Sequence, residues 1–265
     1  MDRKGEELNY FPFKVFENVS LSVIVPVYNE GSKFKENLKL LLDEIQQYFL
    51  EFEILVINDG SSDGDHISDI KSLHGSVQLI SLNKNQGKGA AVRRGFSEAS
   101  GDFILFIDGG MEIHPEEIKI FVGLMHLYQA DVVIGSKRHP QSQVKYPIYR
   151  RILSIIFQLL VKRLFHINVT DTQVGIKMFR KEVIKEILPH LKTDSYGFDI
   201  EILGLCSHFG HRKILEAPVR LDYFLKSKRP VLYDLFHTLR VGTALLKDTF
   251  NLWKRLKIIS ISEKK

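Results

Sequence analysis

Short apolar runs recur along the first half of the chain, each closed by small polar residues and followed by a stretch of helical periodicity. Leu21–Val25 runs into Pro26 and Tyr28-Asn29-Glu30, after which Leu38, Leu41, Leu42, Ile45 and Phe49 share one helical face. Ile54–Ile57 stops in the turn formers of residues 58–64, and Val77–Ser81 predicts a third strand. A loop with Gly87 and Gly89 then feeds a helix ending near Gly101. Phe103–Ile107 predicts a fourth strand, Pro115–Tyr128 a helix and Asp131–Ile134 a fifth strand. Strands alternating with helices at this spacing imply right-handed crossovers and a mostly parallel central sheet flanked by helices, an α/β domain of nucleotide-binding type.

The second half is less regular. Pro147–Phe165 predicts an amphipathic helix with basic ends, residues 171–175 a turn, Glu182–Leu188 and Phe198–His208 helices, and Lys213–Leu221 a strand. After Pro230 a last helix carries Leu235, Leu239, Leu245, Leu252 and Trp253 among basic residues, a face that suits either the core or a lipid interface. Without a repeat or flexible linker, the expected organisation is one domain over residues 1–230. Residues 231–265 form a basic amphipathic helix that is part of the same unit or membrane-interfacial.

Charge narrows the partners. A net charge of +5 and a pI of about 9.1 suit nucleotides, lipid phosphates or an anionic membrane surface. Neither zinc-finger spacing nor a helix-turn-helix signature is present, so nucleic acid is not an expected partner. The single cysteine, Cys206, excludes an internal disulfide framework and points to a reducing compartment. Residues 1–16 lack the apolar stretch and cleavage site of a secretion signal. No run reaches the ~18 charge-free apolar residues of a spanning helix. The nearest, Ile152–Val161, is cut off by Lys162 and Arg163. The expected state is soluble, or peripheral at the cytosolic face of a membrane. The histidines form no HExxH pattern and none pairs with Cys206, so zinc and thiol chemistry are not expected.

Asp108 emerges at the carboxyl end of the five-residue apolar strand Phe103–Ile107, where open α/β sheets bind their ligands. Followed by two glycines and Glu112, it suits a divalent cation carrying a phosphorylated substrate, since hard cations take oxygen ligands and glycine lets backbone approach. The competing reading is a plain strand-to-turn junction. The loops holding Tyr28-Asn29-Glu30, Asp59, Lys88 and Asp108 can converge on one crevice. There carboxylates bind ribose hydroxyls or a base edge, and Lys88 offers charge to a diphosphate. Any one acid or lysine alone reads as solvated surface more often than as a ligand; the joint pattern outweighs that. Residues 87–89, GKG, are not a P-loop, and no GxGxxG fingerprint occurs.

VIVPVYNE, VINDGSSDG, NQGKGAAVRRG and FIDGGMEIHPEEI, in this order, resemble the inverting GT-A glycosyltransferases that use nucleotide sugars. GSK at 135–137, DTQVGIKMF at 171–179 and YGFDIEIL at 196–203 are most similar to the polyprenyl-phosphate sugar synthases, and DTQ with G-hydrophobic-K-hydrophobic-F to the dolichyl-phosphate glucose synthases. The resemblance implies a GT-A fold in which Pro26, Tyr28, Glu30 and Asp59 hold the nucleoside. It places Asp108 on a diphosphate bridged by Mg²⁺ or Mn²⁺. Glu112 falls where mannose-transferring relatives place a metal-holding glutamine. Arg151 and Lys228 match basic positions facing phosphate groups, with Lys137 in place of the usual arginine. A basic rim that merely attracts membranes is the rival reading of these three.

One departure stands out: the family's second metal aspartate is Gly110 here, and Glu112 is the available compensation. The implied reaction moves glucose from UDP-glucose to a polyprenyl or dolichyl phosphate with inversion, Asp108, Arg151 and Asp171 being the catalytic candidates. Asp171 and Asp199 could orient the sugar or act as a base; Asp199, beside an apolar helix, reads as structural. Two alternatives stay open. One is a same-fold transferase acting on a saccharide or protein hydroxyl; the other is a nucleotide-sugar-binding protein weakened in catalysis by Gly110.

Overall fold

The computed structural model describes residues 19–62, 67–144, 148–221 and 231–262. Four parallel strands open the chain: β1 (Leu21–Val27), β2 (Phe52–Asn58), β3 (Val77–Ser81) and β4 (Phe103–Ile107). Between and after them run α1 (Phe34–Ile45), α2 (Lys88–Glu98) and α3 (Ile118–Tyr128), the last entered through a 3₁₀ turn at Pro115–Glu117. Then follow β5 (Val132–Ser136), the short β6 (Gln143–Val144), α4 (Ile148–Phe165), β7 (Ile176–Arg180), α5 (Lys181–Ile187), α6 (Phe198–His208), β8 (Ile214–Pro218), β9 (Arg220–Leu221) and α7 (Val231–Ser262). The main sheet has the order β3-β2-β1-β4-β7-β5-β8 and is parallel except at β7, which runs against both β4 and β5.

Period-two alternation divides the strand residues between two cores. Leu21, Val23 and Val25, Ile54 and Val56, and Phe103, Leu105 and Ile107 join the face covered by α1 and α3. Ile24, Leu55, Ile57, Ile104 and Phe106 point to the face covered by α2, α5, α6 and α7. α1 shows the matching helical spacing, burying Phe34, Leu38, Leu41, Leu42 and Ile45. On the other face α7 contributes Leu245, Leu252 and Leu256, each buried, a gain of about 2 kcal/mol per leucine.

Three sequence expectations need correction. The helix expected to end near Gly101 stops at Glu98, where Ala99 turns to extended backbone at ψ 128°, and Gly101 then packs against Leu21 and Ser22, where a Cβ would stand only 2.6 Å from the Ser22 nitrogen. The strand expected over Lys213–Leu221 is two pieces. It ends at Pro218, after which Arg220–Leu221 leaves the main sheet to pair with β6. β7 was not expected at all: the turn at 171–175 leads directly into a central strand that places Lys177 on the same face as Phe179.

Candidate functional site

Hydrogen bonds join in series the loops that follow β1, β2 and β3, none of which lines the cavity beside Asp108. Asn29, with φ +53°, donates its amide to Ser61 Oγ at 3.1 Å and accepts the Ser62 amide on Oδ1 at 2.9 Å, binding the loop after β1 to the loop after β2. The Asp59 carboxylate is buried and accepts the Gln86 amide at 2.7 Å and the Gly87 amide at 2.9 Å. Both its oxygens therefore brace the turn into α2. Gly60, at φ +68°, has no room for a side chain, since a Cβ would stand 2.5 Å from the Lys84 backbone. Pro26 is buried in β1, its carbonyl oxygen 2.6 Å from where a Gly109 Cβ would be; Tyr28 is exposed at the rim and Glu30 half-buried.

Asp108 is held by its backbone: its amide donates to Gly175 O at 2.9 Å and its carbonyl accepts the Met111 amide at 3.0 Å. Gly175 lies flush against the carboxylate, where any Cβ would collide with it. Lys88, the first residue of α2, places Nζ 2.5 Å from Asp108 Oδ1 and over the rings of Phe106 and Phe198. Burial pulls the Lys88 ammonium toward the neutral form, and the charges of Asp108 and Asp199 more than offset it, so its pKa ends above the ordinary lysine value. Behind this pair, Lys177 is fully buried. It donates to Val174 O at 2.7 Å and pairs with Asp199, whose carboxyl burial pushes upward against the pull of Lys177 and Lys88.

A cavity of about 290 Å³ opens beside Asp108, lined among others by Glu112, Lys137, Ser154, Gln173 and Gly175. Lys137 projects from the end of β5 and sits 3.4 Å from Asp171 Oδ2, which also accepts the Lys137 amide at 3.3 Å; Asp171 Oδ1 accepts the Gln173 amide at 3.1 Å. Asp171 thus braces Lys137 and the 171–175 turn. Arg151 is exposed on α4 and does not line the cavity, but it stands one turn before Ser154, which does. Lys228 lies outside the described residues.

The structure adds two arginines that sequence reasoning passed over. Arg138 donates to Thr170 O at 2.5 Å and to Ser154 Oγ at 2.7 Å, tying the loop after β5 to α4. Arg220 forks onto Glu117 at 2.6 Å and Glu116 at 2.5 Å, clasping β9 to the segment that follows Asp108 and Glu112. Hydrogen bonds to both glutamates raise the Arg220 pKa further, and the bond to Arg220 lowers that of Glu116. The only local signal was adjacency: Arg138 follows Lys137, and Glu116 and Glu117 close the FIDGG stretch.

The residues fit a divalent ion. Among the described residues no group of three His, Cys, Asp or Glu side chains could cage a metal. Asp108 and Glu112 do share the cavity wall, however, and the Lys88 ammonium already stands in as a cation on Asp108. One or two carboxylates completed by substrate phosphates and water is the usual provision for Mg²⁺. Cys206 is buried, which pushes its thiol well above the ordinary range and leaves it inert.

α4 carries an unusual outer surface. Ile152, Leu153, Ile155, Ile156 and Leu159 are all exposed, Ile156 to 60% and Leu159 to 63%. No helix among the described residues is long and apolar enough to cross a membrane.

Residues 22–188 match the family described as Glycosyl transferase family 2. The chain is 31% identical over 227 residues to a dolichyl-phosphate beta-glucosyltransferase of Dictyostelium discoideum, covering 77% of this chain and 69% of the relative. To the enzyme of that name from Drosophila melanogaster it is 30% identical over 272 residues, covering 93% and 80%. Among solved structures, the glucosyl-3-phosphoglycerate synthase of Mycobacterium tuberculosis in complex with Mn²⁺, uridine-diphosphate and phosphoglyceric acid superposes with a TM-score of 0.67. That likeness covers 89% of this chain and 79% of the other at 18% identity, and concerns the fold.

Proposed function

The chain belongs to glycosyl transferase family 2, and from that premise we propose that it transfers glucose from UDP-glucose to the phosphate of a dolichyl-type polyprenyl lipid, inverting the anomeric configuration. The observation that carries the reading is a cavity lined by both Lys137 and Asp108, the latter paired with Lys88. Leaving group and attacking group are both phosphates, and each needs its own cation.

The rim loops with Tyr28, Glu30 and Asp59 take the nucleoside, Asp59 acting chiefly by fixing the 86–87 turn that aims Lys88. Lys88 meets the diphosphate. Asp108 and Glu112 would hold Mg²⁺ or Mn²⁺, which when bound supplies charge neutralisation to the departing nucleotide. A phosphate monoester has a second pKa of about 6, so the acceptor oxygen is anionic at neutral pH and needs no strong general base. Lys137 and Arg151 seat that phosphate, joined by Lys228. Asp171 positions Lys137 through their ion pair and does not serve as the base. The acceptor oxygen bonds to the anomeric carbon from the face opposite the diphosphate, the carbon–oxygen bond to the diphosphate breaks, and UDP leaves.

The lipid explains the outer surface of α4: exposed isoleucines and leucines with Arg151, Lys162 and Arg163 about them suit an anionic bilayer interface. α7 adds exposed Phe250 and Ile258 among lysines. These surfaces support a peripheral position at a membrane, and the face we propose is the cytosolic one.

The test is incubation of the purified protein with Mn²⁺, dolichyl phosphate and a panel of labelled nucleotide sugars. A lipid-linked glucose formed from UDP-glucose supports the reading. Transfer to a hydroxyl acceptor instead, abolished by Asp171→Asn and little affected by Arg151→Ala, overturns it.

A further inference from the structure

The carboxylate suited to a divalent ion is already in contact with a cation of the protein's own. Lys88 Nζ lies 2.5 Å from Asp108 Oδ1, with the faces of Phe106 and Phe198 5.2 Å and 5.6 Å from the ammonium. The two partners differ in freedom. Asp108 is fixed by its backbone bonds to Gly175 and Met111 and by the glycine pressed against its carboxylate. Lys88 reaches it on a flexible four-carbon stem from the first residue of α2. Nor can an expelled Lys88 simply fall back on Asp199, whose charge also acts on it, because that carboxylate already pairs with the buried Lys177.

Charge bookkeeping then separates two ways of filling the site. A metal ion arriving alone must displace the ammonium, adding two positive charges to the site and leaving the Lys88 cation stripped of its partner. Gly110 withholds the aspartate two positions on, Glu112 is the one further carboxylate the site offers the ion, and the described residues hold no three-ligand cage. A metal ion arriving with a nucleoside diphosphate brings its own counter-charge, and the diphosphate gives the displaced ammonium a new partner.

Resting on the function proposed above, we infer that Lys88 is a place-holding cation: it competes with the divalent ion for Asp108 and yields only when a nucleoside diphosphate arrives to receive it. Metal and nucleotide therefore enter as a coupled pair, and Lys88 passes from Asp108 to the diphosphate, where it stands ready for the charge that develops on the leaving group.

Calorimetry on the full chain tests this with Mn²⁺ alone, UDP alone and both together, for the wild type, Lys88→Met and Lys88→Arg. The wild type is expected to bind Mn²⁺ weakly alone and more tightly with UDP, by a coupling factor of about 5 to 150. Lys88→Met should bind Mn²⁺ alone about tenfold more tightly than wild type, with the coupling factor falling toward one. Lys88→Arg keeps the charge and should stay close to wild type for Mn²⁺ alone. Should the methionine variant melt early, Lys88→Gln must show the same gain in Mn²⁺ affinity. A Lys88→Met protein that loses UDP affinity without gaining Mn²⁺ affinity would make the lysine a phosphate contact only and overturn the inference. A wild type that binds no UDP even with Mn²⁺ would overturn the proposed function instead.

Discussion

The two sides of the cavity are built by different means. On the side assigned to the donor, position comes from backbone: amides donated to Asp59, Asp108 locked between Gly175 and Met111, and glycines at 60, 109 and 175 with no room for a Cβ. On the side assigned to the acceptor, position comes from side chains: Lys137 on Asp171, Arg138 on Ser154 and Thr170, Arg220 on Glu116 and Glu117, and an apolar helix surface turned outward. A nucleotide diphosphate is small and rigidly defined, so a stiff cradle suits it. A long lipid is held along its length, and side-chain contacts can adjust to it. Substitutions should accordingly be severe and local on the first side, graded on the second.

Asp108→Asn is the strongest probe. It keeps the shape and removes the charge, and turnover of UDP-glucose should fall by about 10³-fold with thermal stability little changed. Gly175→Ala comes next: the methyl group displaces the Asp108 carboxylate, and a loss of about 10²-fold in kcat is expected, measured beside a melt to show the fold intact. Comparable residual activity in Gly175→Ala and wild type would mean that the donor side is not the stiff cradle described.

Across the cavity, Ile156→Glu should weaken binding to anionic vesicles by about tenfold while leaving UDP affinity unchanged, read by co-sedimentation and calorimetry on the same protein. Equal losses in both assays would erase the distinction between the two sides. The smallest effect concerns the exposed Glu116 arm of the Arg220 clasp. The hydrogen bond from Arg220 lowers the Glu116 pKa from its ordinary 4.5. A lowered carboxyl pKa gives stability that is present above the unfolded value and disappears as pH falls through the folded one. Arg220→Met should return Glu116 toward the ordinary value by NMR titration, and its stability deficit should shrink as pH drops through that window. Glu116 is largely exposed, so the deficit owed to it is small.

Much of this was legible in the chain. The first five strands follow from apolar runs closed by turn formers, and Asp108, Glu112 and Lys137, the last singled out by the family resemblance, line one cavity. The misses share a cause. β7 went unread because Lys177, second of its five residues, breaks the apolar run, and Arg138, Arg220 and Glu117 have partners 16 to 104 residues away.

Local pattern thus determined by itself the strand–helix alternation of the first half, because periodicity and turn chemistry act within a few residues. Tertiary structure alone decided that β7 enters the sheet antiparallel between β4 and β5, that Lys177 is buried against Asp199, and that Lys88 rests on Asp108. A charge can be buried only once its counter-charge is brought from a distant segment, and no window of sequence contains both.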